Sequence, residues 1–422
     1  MLLMDEEKAM LDGQQGAGVQ KAMDLLVNLG DCFGAEKMAR VNWTHTMLDV
    51  IPYDVLSTIT EGAKPGSKVT LHPGWQPERW KELGITRGSV ADKFINWHNQ
   101  RLNVAKRLGW YLTQTCAEYL IGFVPRKGDV ISMTGTCMQV TNNSIYGALV
   151  NRAGDFTPLC SAVTDRVPYF GLMLPENRHA QVMVKLEPGL NVSNWGEMEY
   201  SCLGYYIGGQ VSGFKNVVID GLPPDIPFEC LRALVIPLPV SGAVTLCHIV
   251  GVTPEAPTLE AALAGKKPEQ IIVVGKANLK RTWEQLNVYQ GDIVEHVTMG
   301  CPHCTIEEIK KIAMLIGSKK LKSSLLIGAS VPVVALAREM GYAHIIEKGG
   351  GIFLNCCVSI GDPFLSTYYA GERLAKSAAT NGARAAHYIA RTTGIADTFM
   401  GTEEECIDAA ATGKWEGREP KW

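Results

Sequence analysis

Ile293-Val294-Glu295-His296-Val297-Thr298-Met299-Gly300-Cys301-Pro302-His303-Cys304-Thr305-Ile306-Glu307-Glu308 decides the fold class. Ile293 to Val297 is a short β-branched, apolar run of strand type. Gly300 and Pro302 break it, and a helix opens at Thr305. Thr305 with Glu308 three positions on is the spacing of a capping box, so the helix N-terminus falls beside Cys304. The same alternation extends outward. Ile271 to Val274 is an apolar strand followed by a helical stretch near Leu279 to Leu286, and Ser324 to Ile327 precedes a helix over Val331 to Met340. Strand and helix in turn predict parallel sheets covered by helices, an α/β fold.

Toward the N-terminus, residues 6 to 40 have helical spacing, strongest over Val19 to Leu29. Residues 40 to 180 mix short strands such as Lys68 to Leu71 with helices such as Ser89 to Gly109. Residues 191 to 252 are rich in Gly and Pro and predict buried strands with sharp turns. Ala233 to Val252 is uncharged, but Pro237, Pro239 and Ser241-Gly242 fit strand, turn, strand better than a membrane helix. No fixed-period repeat or long linker is present. Two or three interlocked α/β units are expected, with breaks near 190 and 265.

The chain has 422 residues, 40 Lys+Arg against 43 Asp+Glu, and no long basic block. That balance argues against a nucleic-acid surface. The acidic start, Met1-Leu2-Leu3-Met4-Asp5-Glu6-Glu7, is no secretory signal. A cytoplasmic protein that does not enter membranes is expected.

Twelve cysteines are many for such a chain. Cys202, Cys230, Cys247 and Cys406 read as small buried hydrophobes. Cys301 and Cys304 admit three functional readings: a redox dithiol, half of a zinc site, or ligands of an iron–sulfur cluster. Cys356-Cys357 follows Gly349-Gly350-Gly351 and a strand-like Ile352-Phe353-Leu354. Of two adjacent cysteines, one is expected to bind and the other to pack. Cys116 follows Thr113-Gln114-Thr115. Thiolates from three separate loops would leave a cluster with one iron open to a hydroxyl leaving group.

The ordered stretches Gly16 to Met23, Thr44-His45, Thr115-Cys116, Asn143 to Gly154, Val167 to Leu172 with Glu176-Asn177-Arg178, Ser241-Gly242-Ala243, His248 to Ala256, Gly300 to His303 and Asn381 to Tyr388 resemble aconitase X, a family of iron–sulfur hydro-lyases distantly related to aconitase. The resemblance implies aconitase-like three-layer α/β/α units around a central cluster, [4Fe–4S] or [2Fe–2S], on Cys116, Cys301 and Cys356. Cys304 would then be a neighbour and Cys357 a packing residue. His45 and His303 are the candidates for polarising the leaving hydroxyl, and Ser144 the candidate hydroxyl at the reacting centre. Asn143, Asn151, Arg152, Asn177 and Ser241 are the expected substrate contacts.

The resemblance also implies a separate small swivelling subunit that carries the base. The activity expected is dehydration of a small hydroxy acid, with cis-3-hydroxy-L-proline preferred and 5-phosphomevalonate the alternative. Leu149-Val150 replace an Arg-Thr pair of the family pattern, which removes a guanidinium suited to a carboxylate. Arg152 or Arg178 are the expected substitutes. The readings of a different class are a thiol–disulfide oxidoreductase using Cys301 and Cys304, and a non-catalytic relative.

Overall fold

The computed structural model describes residues 1–64, 68–84, 88–365, 374–420 and 422. Three parallel sheets organise it. In the first, Trp43–Thr46 lies between Val69–Leu71 and Ile131–Met133. The second runs Cys247–Ile249, Val217–Asp220, Val182–Leu186, Gln270–Val274 across the sheet. The third runs Gly351–Leu354, Ser324–Gly328, His296–Met299, Ser377–Thr380, Asp397–Met400. Met38–Arg40 and Arg166–Pro168 add a short antiparallel ribbon.

His296–Met299 and Ser377–Thr380 are buried at every position, as central strands of a parallel sheet covered on both faces are. On one face of the third sheet, Ile309, Ile312, Ala337, Ile346, Ile407 and Ala410 of four helices pack over Val297 and Leu325. On the other, Ala385 and Ile389 of helix Ala383–Thr392 cover Ala378. Trp75 and Trp80, from the N-terminal part, cover Leu326 and Leu354. The units are thus interlocked: the first part of the chain completes the core of the last.

Helix Ile306–Ile316 starts where the capping spacing places it. Thr305 Oγ1 accepts from the Glu308 amide at 3.1 Å, and the Glu308 carboxylate accepts from the Thr305 amide at 2.5 Å. The segment Ala233 to Val252 differs from expectation. It contains the end of helix Phe228–Val235, a short helix Leu238–Gly242 with Pro239 in its first turn, and only then strand Cys247–Ile249. Proline fits a helix's first turn, where no amide donor is needed, so here it starts a helix rather than turning a strand. Among the described residues, no helix is long and apolar enough to cross a membrane.

Candidate active site

In chain order, the third sheet runs third, second, first, fourth, fifth strand. Loops leaving the first and fourth strands therefore diverge, and a crevice opens at their carboxyl ends. The loop after Met299 carries Cys301, and the loop after Thr380 leads into helix Ala383–Thr392 with Arg384. The loop after Leu354 at the same edge carries Cys356 and Cys357. The carboxyl end of the first sheet faces this edge. His72 follows strand Val69–Leu71, the Thr115 amide bonds Leu71 O at 3.0 Å, and Cys137 opens helix Thr136–Ser144 after Met133.

Two glycines make the approach possible. Gly300 has φ +99°, and a Cβ there would strike the Gly328 backbone. Gly135 has φ +84°, and a Cβ would sit 2.9 Å from His72 Nε2. Only glycine takes both that conformation and that proximity.

The thiols that converge are Cys116, Cys137, Cys301 and Cys357. Cys116 and Cys137 lie close enough to shift one another's titration, and His72 stands near Cys137. Cys116 Sγ accepts from the His303 amide at 3.4 Å. The Ser359 hydroxyl is 3.4 Å from Cys357 Sγ and stands near Cys301 as well. Arg384 is the common neighbour: its guanidinium attracts Cys137, Cys301 and Cys357. The neighbouring Cys116, with Arg384 and His72, holds the Cys137 thiol well below its ordinary range. Cys137, with burial, pushes Cys116 well up. Burial pushes Cys301 up to about 12.

Cys356, the sequence's choice of third ligand, is fully buried among Trp75, Trp80, Leu354 and Val358, with Asp362 as its nearest charge. Its neighbour Cys357 faces the other thiols. Cys304 is turned into the helical core of the third sheet, where burial, Glu308 and Glu403 push its thiol well up. Cys301 and Cys304 therefore stand in different surroundings and do not form a paired dithiol.

His303 is completely buried with both ring nitrogens engaged. Nε2 is 3.0 Å from the Cys356 carbonyl, which can only accept, so Nδ1 accepts from the Thr115 hydroxyl at 3.0 Å. Burial lowers its pKa to about 4. A neutral ring with no free nitrogen ties three thiol-bearing loops together and has nothing left to polarise a hydroxyl. His45 bonds Thr70 Oγ1 at 2.8 Å and meets His72 edge-on, with Nε2 unpaired. Burial, then His72, lowers its pKa well below normal.

The other expected contacts scatter. Ser144 Oγ accepts from the Cys247 amide at 2.9 Å in the core. Asn143 spends its side chain on Val150, Thr245 and Arg178. Ser241 donates to Pro237 O at 3.2 Å, within its own helix. Asn151, Arg152 and Asn177 do line a cleft of about 1140 Å³, together with Gly135, Thr136, Lys215, Arg384 and Tyr388. Arg178 is locked to Glu255 and so cannot replace the missing guanidinium. Leu149 packs with Val41, Val167 and Met173, and Val150 lies in the main core. Arg384 is the arginine that reaches both cleft and thiols. It gives Thr136 Oγ1 one hydrogen bond of 3.0 Å. Its sequence signal was its place in the matched Asn381 to Tyr388 stretch. Cys137 had only its position after Gly135 at a helix start.

Models of the aconitase X first, second and third domains match residues 1–176, 180–284 and 294–412. The chain is 33% identical to the phosphomevalonate dehydratase large subunit of Methanocaldococcus jannaschii, over 92% of this chain and 95% of that protein. It is 27% identical to the cis-3-hydroxy-L-proline dehydratase of Hypocrea jecorina, over 99% of this chain and 70% of that one. The crystal structure of Thermococcus kodakaraensis aconitase X in its holo-form superposes with a TM-score of 0.83 at 30% identity, covering 97% of this chain and all of that one. With all three domains matched in order, and relatives that are dehydratases over nearly the full length, the chain belongs to the aconitase X family of hydro-lyases.

Proposed function

We propose that the chain is the large subunit of an iron–sulfur dehydratase acting on a small hydroxy acid, with Cys116, Cys301 and Cys357 as the cluster ligands. The observation that carries this is the convergence of thiols from separate loops around a buried arginine. The donor set suits a cluster better than a single zinc. A tetrahedral zinc needs its sulfurs roughly 4 Å apart. Among the described residues, no three of these sulfurs lie within 4.8 Å of one another. Arg384, 8% exposed with no carboxylate partner among the described residues, offsets the negative charge of thiolates.

A cluster held there supplies a Lewis acid for a hydroxyl leaving group. Arg384 presents its remaining guanidinium nitrogens to the cleft and takes the substrate carboxylate, the role that Leu149 cannot fill. His303 fixes the spacing of the three ligand loops. The cleft admits the substrate and a base supplied by a small partner subunit. A partner is supported by the name of the Methanocaldococcus relative, itself a large subunit.

For the substrate, the cleft favours an acid with a second anionic group. Arg152 and Lys215 line it beyond Arg384, a cationic lining that suits the phosphorylated acid named for several relatives. This reverses the preference for cis-3-hydroxy-L-proline, which rested on finding no added basic cluster.

The test is anaerobic purification with a co-expressed small subunit, counting iron and sulfide, then assaying dehydration of 5-phosphomevalonate and cis-3-hydroxy-L-proline. Cys116→Ala, Cys301→Ala and Cys357→Ala should each abolish the cluster absorbance, whereas Cys356→Ala should retain it. A chain that stays colourless and iron-free after reconstitution overturns the proposal. Loss of the cluster in Cys356→Ala but not in Cys357→Ala overturns the ligand assignment.

A further inference from the structure

Arg384, assigned above to the substrate carboxylate, lines the 1140 Å³ cleft together with Thr136 and Tyr388. It also lines a small pocket that holds Gly300, Cys301 and Pro302. A guanidinium carries five N–H donors in one plane. Arg384 makes one hydrogen bond among the described residues, from Nη1 to Thr136 Oγ1 at 3.0 Å. A single hydrogen bond fixes a point and leaves the plane free to turn about it. The second restraint is the Tyr388 ring. It stands four residues on along helix Ala383–Thr392, hence on the same face, with its centroid 5.1 Å from the guanidinium carbon. The ring is held in turn. His387 meets it edge-on with centroids 5.4 Å apart, and the Tyr205 hydroxyl of helix Glu197–Gln210 lies 2.8 Å from His387 Nδ1. Burial, then Arg391 and Arg384, lower the His387 pKa to about 4, so a neutral ring backs the arginine–tyrosine pair.

We propose that Tyr388 is a positioning residue for the dehydration: its ring fixes the plane of the Arg384 guanidinium, so that a substrate carboxylate in the cleft meets two aligned N–H donors. Bidentate pairing needs the carboxylate and the guanidinium in register, and a guanidinium turning about one hydrogen bond loses that register. A carboxylate partner would also fix the plane, but it would occupy the donors that the substrate needs. An aromatic ring engages the flat face of the guanidinium and leaves its edge free. This role rests on the assignment of the substrate carboxylate to Arg384; the hold of the ring on the guanidinium does not.

The experiment compares the full wild-type chain, co-purified with its small subunit, with Tyr388→Phe and Tyr388→Leu. Tyr388→Met replaces the leucine variant where that one does not fold. Two readouts are taken. One is steady-state dehydration of 5-phosphomevalonate and cis-3-hydroxy-L-proline. The other is the rate at which phenylglyoxal labels Arg384, followed on the tryptic peptide 377–391, in which a modified Arg384 is no longer cut. The leucine variant should raise KM roughly ten-fold, the equivalent of about 1.4 kcal/mol. Its kcat and iron content should stay, the mark of lost binding rather than lost folding, and Arg384 should label several-fold faster. The phenylalanine variant keeps the ring and should restore both KM and the slow labelling. A wild-type KM in the leucine variant overturns the proposal. So does a phenylalanine variant as impaired as the leucine one, which would put the role on the hydroxyl. A joint fall of kcat and iron content with unchanged labelling also overturns it, because that pattern is structural. If the wild type dehydrates neither acid, the functional reading fails and labelling alone decides. Faster labelling only where the ring is absent then supports the hold on Arg384, and equal rates overturn it.

Discussion

A histidine beside a cysteine invites a catalytic role, and His303 shows why the hydrogen-bond partners must be counted first. Its two nitrogens and its amide hold Cys356 O, Thr115 Oγ1 and Cys116 Sγ, so it ties its own loop to two others. His303→Ala leaves the Cys356 carbonyl without its side-chain donor and the buried Thr115 hydroxyl proton without an acceptor, while Thr115 Oγ1 still accepts from the Ala117 amide. The expected cost is about 1–3 kcal/mol, with iron content falling alongside stability in urea titrations. Iron content unchanged in a destabilised variant would show that the loops keep their spacing without it.

Glu197 makes a prediction of another kind. Burial, with Glu308 and Glu403 close by, pushes its carboxyl up to about 9 from 4.5. The unfolded chain releases that proton near 4.5, while the folded chain holds it to about 9. Stability is therefore greatest below 4.5 as far as this group is concerned, and declines as pH rises through that window. Glu197→Gln should flatten the decline, seen as a smaller difference in urea midpoint between about pH 5 and about pH 8.5 than in the wild type.

Among the elements, helix starts carry measurable energy. Thr402 Oγ1 accepts from the Glu405 amide at 3.2 Å, and the Glu405 carboxylate accepts from the Thr402 amide at 2.7 Å. Thr402→Ala should cost about 1 kcal/mol by denaturation and leave iron content untouched, because the thiols are on other elements. Thr305→Ala removes the equivalent cap, but there the helix follows directly on the Cys301 loop, so iron retention should fall as well. Close helix contacts make a stronger demand. A Cβ on Gly242 would strike the Gly208 carbonyl, and one on Gly204 the Leu234 carbonyl. Gly242→Ala should destabilise by about 1–3 kcal/mol through overpacking, read as a lowered thermal midpoint with secondary structure retained.

At the scale of the whole molecule, Arg232 is the buried bolt between the middle and last parts of the chain. Carried on helix Phe228–Val235, it donates to His303 O at 2.7 Å and to Glu308 Oε2 at 3.2 Å, between the Tyr119 and Phe228 rings. Arg232→Ala strands the Glu308 carboxylate and should cost about 3–5 kcal/mol. Limited proteolysis should then cut between the second and third sheets before the sheets themselves unfold. Simultaneous loss of all structure in one transition would show instead that the parts have no separate stability.

Local chemistry was legible in the chain itself. The strand–loop–helix alternation from 271 to 340, the Thr305 cap and the parallel α/β class follow from period and capping, which act over a few residues, and the matched motifs pointed to the family. Helices at Ala233 to Gly242 escaped, because an uncharged run buried on all sides has no period to read. The site was legible as a set of cysteines but not as a geometry. Packing with Trp75 and Trp80 buries Cys356, while Cys357 stands with the other thiols. Cys137, His72 and Arg384 come together across more than three hundred residues of chain. No spacing rule reports that distance. The sequence by itself determined which side chains could do the chemistry, and the meeting of two sheet edges decided which of them stand together, because direction and neighbourhood are properties of the packed chain.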